Sequence, residues 1–218
     1  MSKNIALLPR RSGLSRAQFR DYYESRHAPL AIGYFPFTRY VRNHLADAEE
    51  PGFDTISEFW SEDLARLAAL METDVGALMR ADEERFMERP QIRSGAAEEY
   101  LLAGAPRTAE SAALGKYAWL LHLSPGTTAA AVVTELTAWA QRRDDPTAAG
   151  CTRVTLDLVR PWGAAFPFDA VLWLWPSLSQ VPAPCALPGV TVWQRLRVSA
   201  AETPPQVMAQ ALRERAGR

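Results

Sequence analysis

The chain has 218 residues, 48% hydrophobic and 22% charged, which supplies enough apolar surface for one large or two small domains and too little charge for general disorder. Lys plus Arg number 24 against 25 Asp plus Glu, a net charge of -1 that lacks the cationic excess phosphate backbones require, so nucleic acid is not an expected partner. Two cysteines, Cys151 and Cys185, are too few for a disulfide framework, three histidines limit any imidazole cluster, and no apolar run reaches the roughly 18 residues of a membrane span; a cytoplasmic chain with no membrane partner is expected.

Asn4 to Leu8 is a short apolar run ended by Pro9, which reads as a strand. Ser15 with Gln18 three residues on makes a capping box, and Phe19, Tyr22, Tyr23 and Arg26 follow at helical spacing until Pro29 closes the segment. Phe37 to Leu45 and Asp54 to Trp60 read as strands, Leu64 to Met71 and Ala81 to Met87 as helical stretches, and Ala97 to Leu102 as a last short strand. The order is β-α-β-β-α-β.

Ala103 to Gly115 is small, polar and aperiodic, as a linker should be. Beyond it the order repeats loosely. Tyr117 to Leu123 is a strand, Thr127 or Thr128 caps a helix carrying Ala131, Val132, Leu136 and Trp139, and Cys151 to Arg160, Phe168 to Trp175 and Val190 to Val198 are strands. Asp54–Trp60 lies over Asp169–Trp175, since 169 minus 54 and 175 minus 60 are both 115, which is the mark of a degenerate tandem repeat. Three prolines make Ser177 to Pro188 an irregular crossover, and Thr203 to Arg218 is either a C-terminal helix or a frayed tail. The expected division is residues 1–105 and 116–200 as two halves, 106–115 as linker, and 201–218 as tail or helix.

Strand alternation sorts these residues by face. Asp54, Ile56, Glu58 and Trp60 oppose Thr55, Ser57 and Phe59, and Asp169, Val171, Trp173 and Trp175 oppose the Ala170/Leu172/Leu174 side, which reads as helix-packed. By the same logic Arg153, Thr155 and Asp157, then Trp193, Arg195 and Arg197, then Tyr40, Arg42 and His44 fall on the non-helical face. Two sheets with helices on one side can set their other faces together around a lumen, and this one would be wet and ring-lined.

The run GLSRAQFRDYYESRHAPL, then RYVRNHL, FDTISEFW and DEERFMER, resembles the EthD-like family of dimeric α+β barrel proteins over about residues 1–102. The resemblance implies an α+β fold of two ferredoxin-like repeats closing an intramolecular barrel, a pseudo-dimer within one chain that leaves room for a further homodimer. The second half departs from the motif: no His follows its first helix, and Trp173 stands where Glu58 would be. One site is therefore expected, with the other half lining and supporting it. Members resembling this sequence include accessory proteins of ether degradation and enzymes that decarboxylate, dehydrate or cyclise polyketide-like aromatics.

Each candidate residue carries two readings. His27 is either a catalytic imidazole at HAPL or a cation favoured by a helix C-terminus. His44 is a satisfied strand histidine or a second proton donor; Glu58 is a partner acid or base, or else salt-bridged to Arg42 or Arg39. Tyr22, Tyr40, Trp60, Trp173, Trp175 and Trp193 would line the substrate site, with Arg42 or Arg195 on an oxyanion or carboxylate. Asp54 reads as a loop cap, and His122 as core or pocket wall. No G-x-G-x-x-G, G-x-x-x-x-G-K-[ST] or G-x-S-x-G occurs, and His27, His44 and Glu58 match no metal-ligand spacing, so no cofactor and no metal is expected. The leading expectation is a cofactor-independent lyase or cyclase acting on a small aromatic or polyketide-like substrate; a non-catalytic binding protein and a cofactor-free monooxygenase are the alternatives.

Overall fold

The computed structural model describes residues 2–46, 50–106, 109, 115–142, 144–177 and 185–217. β1 (Ser2–Leu8) is followed by α1 (Arg16–Tyr22), started by the expected capping box: Gln18 N–H donates to Ser15 Oγ at 3.2 Å and Ser15 N–H to Gln18 Oε1 at 2.8 Å. The helix does not stop at Pro29. It widens into a π turn over Tyr23–His27, where Ala28 N–H donates to Tyr23 O, and runs on as α2 (Ala28–Ile32). Pro29 is tolerated because it falls in the first turn of α2, where its missing N–H leaves no bond unmade.

β2 (Arg39–Leu45), β3 (Thr55–Ser61), α3 (Leu64–Met71), α4 (Asp74–Glu83) and β4 (Arg93–Gly104) complete the first half. α4 lies earlier than the expected 81–87 because Thr73 caps it, accepting from Val75 N–H at 3.2 Å, and Phe86 and Met87 follow as buried plugs. β4 ends at Gly104, whose φ of +87° and approach to β6 leave no room for a side chain: a Cβ there would sit 2.1 Å from the Thr152 carbonyl oxygen.

The second half contains β5 (Lys116–Leu123), α5 (Ala129–Ala140), α6 (Pro146–Ala149), β6 (Cys151–Pro161), β7 (Ala170–Pro176), β8 (Val190–Thr203) and α7 (Pro205–Ala216). Thr128 caps α5. The tail is a helix whose Met208 is buried against the first half. α6, which periodicity did not reveal, is set by Asp145 accepting from Thr147 and Ala148 N–H at 2.9 and 3.0 Å. Most of the expected linker and of the Ser177–Pro188 crossover lies outside the described residues. The 115-residue offset persists: β3 and β7 begin at 55 and 170 and end at 61 and 176.

The strands form one closed antiparallel barrel in the spatial order β1-β3-β2-β8-β5-β7-β6-β4. Each half contributes a block with the same internal order, β4-β1-β3-β2 and β8-β5-β7-β6. The fold is thus α+β, with helices outside an eight-stranded barrel. The interior is not the wet lumen expected from alternation. Ile5, Leu7, Ile56, Leu120, Val171 and Trp173 fill it, none more than 2% exposed.

At its centre Lys3 Nζ bonds Glu58 Oε2 at 2.6 Å, Asp157 Oδ2 at 2.7 Å and Glu99. Lys116 Nζ reaches Asn43 Oδ1 at 2.9 Å and Glu58 Oε1 at 3.1 Å, and Trp173 Nε1 donates to Asp157 at 2.7 Å. Burial pushes the Asp157 carboxyl up against the pull of Lys3. Lys3→Met removes the ammonium that three carboxylates share and should cost about 3–5 kcal/mol in urea unfolding. Arg160→Ala, which breaks only the exposed pair to Glu98, should leave the unfolding midpoint in place.

Candidate functional site

With the barrel interior filled, the open space lies on the other face of the first-half sheet. A cavity of about 750 Å³ is floored by Ala6 and Leu8 of β1, Tyr40 of β2, and Ser57 and Phe59 of β3, and roofed by the α1–π–α2 helix, α3 and α4. Alternation explains the floor: Lys3, Ile5 and Leu7 point inward, so Ala6 and Leu8 point to the helices. Small residues there leave the gap. In the second half the same face carries Trp119, Leu121, Leu156, Leu172 and Leu174, all fully buried against α5 residues Val132, Leu136 and Trp139. That face is solid.

His27 lines the cavity and is 7% exposed. The π turn accounts for its placement, because Tyr23 and His27 fall on one side of the widened turn, with ring centroids 5.2 Å apart in an edge-on contact. His27 Nδ1 lies 2.8 Å from Asp82 Oδ2, and Tyr22 donates its O–H to Asp82 Oδ1 at 2.7 Å. Burial works to raise the Asp82 carboxyl, but the hydrogen bonds from His27 and Tyr22 outweigh it and hold the group below its ordinary range. An ionised Asp82 only accepts, so Nδ1 carries a proton, and in the neutral imidazole Nε2 keeps its lone pair. Among the described residues Nε2 has no hydrogen-bond partner.

Beside it lies a row of hydroxyls. Tyr23 and Tyr40 O–H groups are 2.8 Å apart and Tyr23 donates to Ser57 Oγ at 3.2 Å. Burial raises the Tyr23 phenol well above its usual range and pushes Tyr40 up to about 12, so both remain protonated donors at neutral pH. Three hydroxyls joined by two hydrogen bonds leave one O–H proton uncommitted in the cavity wall.

The structure brings together only some of the residues singled out from sequence. His27 and Tyr40 line the cavity, and Tyr22 stands behind His27 on Asp82. His44 faces the helices but is fully engaged: Nε2 bonds Glu24 at 2.6 Å and Nδ1 bonds Thr55 at 2.8 Å. Arg42 forks onto the same Glu24 at 2.9 and 2.7 Å and bonds Thr203, so it backs Tyr40 instead of reaching the cavity. These three residues therefore lie on the helical side, opposite to the expectation. The inward positions of β2 belong to Val41, Asn43 and Leu45, and Asn43 amide N–H donates to Glu58 at 2.8 Å.

Glu58 points into the barrel, on the opposite face of the sheet from His27, paired with Lys3 and Lys116 and not with Arg42 or Arg39. Trp173 and Trp175 share that interior, and Trp60 is buried with Val41 and Ala200. Trp193 and Arg195 fall away because the β5–β8 register shifts at Leu120/Leu121, which exchanges the faces of β8: Leu196 and Val198 turn inward and Arg195 lies over Trp119 at 5.0 Å. His122 is half-exposed beside Asp169, at 3.6 Å. Asp54 accepts from Arg10 N–H at 2.8 Å and its counterpart Asp169 from Leu123 N–H at 2.9 Å, so both are loop anchors.

Asp82, Ser57, Glu83 and Trp162 line or back the cavity and were not selected by the sequence reading. Asp82 had a signal, since it opens the DEERFMER run. Among the described residues one carboxylate trio, Glu58, Glu99 and Asp157, has ligand atoms within 4.8 Å of one another, and the Lys3 ammonium bonds all three. His27, His44 and Glu58 are too dispersed to share an ion. No helix of the described residues is long and apolar enough to cross a membrane.

The fold and the cavity define a single-chain α+β barrel with an apolar cavity under its first helices. Residues 11–90 match the EthD domain family. No curated protein matches the sequence. Among solved structures, an anthrone oxidase-like protein is similar with TM-score 0.57 and 8% identity, covering 93% of this chain and 92% of that one. A presumed monooxygenase from Lactobacillus acidophilus NCFM has TM-score 0.52 and 8% identity over 91% and 93%. A presumed chlorite dismutase has TM-score 0.52 and 11% identity over 96% and 99%. At these identities the likeness extends to the dimeric α/β barrel fold alone.

Glu24 gives this site a measurable acid response. Burial alone would raise its carboxyl, yet the hydrogen bonds from His44 and Arg42 bring it from 4.5 to about 2. A depressed carboxyl stabilises the fold fully above its unfolded value and loses that contribution as pH falls toward the folded one. Glu24→Gln should therefore be less stable than wild type near pH 7, with the difference shrinking between about pH 4.5 and 2 in urea titrations.

Proposed function

We propose that the chain is a proton-transfer enzyme, a cofactor-independent lyase or cyclase acting on an aromatic or polyketide-type carbonyl compound. The observation that carries this reading is His27 Nε2, a base whose proton-bearing Nδ1 is fixed by ionised Asp82 and which faces an apolar cavity. His27 would remove a proton from a carbon beside a carbonyl, and the uncommitted hydroxyl of the Tyr40–Tyr23–Ser57 row would donate to the oxygen as negative charge develops there. A substrate that delocalises its own carbanion as an enolate supplies the electron sink. Decarboxylation, dehydration and ring closure share this requirement, with Phe35, Phe37, Phe59 and Met79 excluding water.

We read the two halves, 1–105 and 116–200, as ferredoxin-like repeats of a pseudo-dimer, a reading supported by their shared strand order. Only the first would keep a site, since the second packs that face with Trp119, Leu136 and Trp139. The second functional reading, a monooxygenase handling dioxygen without a cofactor, is favoured by the similar folds of the presumed monooxygenase and the anthrone oxidase-like protein. A non-catalytic binder is the third.

His27→Ala should lower turnover by about two to four powers of ten while leaving ligand affinity within a few-fold. Unchanged turnover would remove His27 as the base; a wild type that binds ligand but turns none over would make the chain a binder. Asp82→Asn, which permits the other imidazole tautomer, should lower kcat while KM changes little. Under anaerobic conditions the rate should not change; a rate that follows dioxygen would replace the lyase reading with the monooxygenase one.

A further inference from the structure

We infer that Trp162, a residue of the second half, is the stacking wall for a fused-ring aromatic ligand in the first half's cavity. This rests on the cavity reading above and extends it to the ligand's shape. Trp162 lines the cavity yet is 49% exposed, the highest value of any large hydrophobic residue among those described. Its backbone is pinned. Trp162 N–H donates to Ser94 O at 2.9 Å, and the two strands approach so closely that a Cβ on Gly95 would meet the Arg160 carbonyl oxygen at 2.6 Å. Directly after it Gly163, with φ +82°, turns the chain away. An indole on a fixed support with a bare face is an apolar surface awaiting a partner.

The sheet register gives the distance such a partner must span. Ala6 of β1 pairs with Ser57 of β3 on one side and with Ser94 of β4 on the other. Trp162 bonds Ser94 from the β6 side, so its backbone is three strand spacings from the hydroxyl row at Ser57, about 14 Å. One six-membered ring cannot reach from the donor row to the indole. A flat system of two or three fused rings can, holding its oxygen at Ser57, Tyr23, Tyr40 and His27 while its far ring lies on Trp162. The wall between is apolar, from Phe59, Leu64 and Met87, so the middle of the ligand needs no polar substituent.

Binding of two probes, the three-ring 1,8-dihydroxyanthraquinone and the one-ring 2,6-dihydroxyacetophenone, tests this by calorimetry and indole fluorescence. Trp162→Ala should weaken the three-ring probe about tenfold and leave the one-ring probe unchanged, while Trp162→Phe restores affinity to within about twofold. The emission quenched by the three-ring probe should be lost in Trp162→Phe. Because the side chain is half-exposed, both variants should melt with the wild type, and Trp193→Ala, at 40% exposure and outside the cavity, should bind normally. Ala68→Trp, which narrows the cavity from the exposed side of α3, should weaken both probes. If the three-ring probe is lost in Ala68→Trp but indifferent to Trp162→Ala, the stacking role is wrong and the cavity reading stands. If it does not bind the wild type, or binds regardless of Ala68→Trp, the cavity reading falls and the stacking role with it.

Discussion

The Lys3 ammonium, shared among Glu58, Glu99 and Asp157, is the interaction around which the rest of the molecule is arranged. Those residues come from β1, β3, β4 and β6, and through Lys116, Asn43 and Trp173 the same network reaches β5, β2 and β7. A charged centre of this kind survives burial only when every member has its partners, so the neighbouring space must be packed shut. Once the barrel is closed to water inside, a binding space can only form on the outer face of a sheet, under its helices. Where Ala6 and Leu8 are followed by no bulky roof, that space stays open.

The chemistry then depends on which side of the sheet each polar residue occupies. Asp82 fixes the tautomer of His27 from α4, while the phenols of Tyr23 and Tyr40 are kept neutral by the same burial that makes the cavity apolar. Glu24 answers a different need. It absorbs Arg42 and His44 on the same side of the sheet, so that neither side chain reaches into the cavity. The cavity thus presents the His27 imidazole, the Glu83 carboxyl, a neutral donor row and hydrocarbon walls.

Much of this fold was legible in the sequence, because β-strand alternation, the Ser15–Gln18 box, the 115-residue offset and the EthD-like run all report local or repeated features. The second half's departure from the first was legible too, in the missing histidine, whereas Trp173 and Glu58 both face the barrel interior and say nothing of the cavity. What alternation could not supply was the sign of the face in β2, where Tyr40, Arg42 and His44 look as polar as Asn43. The choice is made by partners 15 and 73 residues away from Asn43, Glu58 and Lys116. β8 misled for a different reason: its register shift against β5 reverses inside and outside midway along the strand, and no composition rule marks that point. Asp82 was marked by the DEERFMER run, but its pairing with His27 was not legible, because a contact between residues 27 and 82 leaves no periodic trace.

Closing the barrel with one polypeptide has a consequence for how such a molecule diverges. In a barrel made from two identical subunits, any substitution is made twice, and a change that fills one hollow fills its twin. Here the halves are encoded separately. Trp119, Leu136 and Trp139 could harden one flank into ballast without touching Ala6 or Leu8 on the other, and dilution cannot part the two. The solid flank is then free to lend a single residue across the seam, as the β6 end does with its indole.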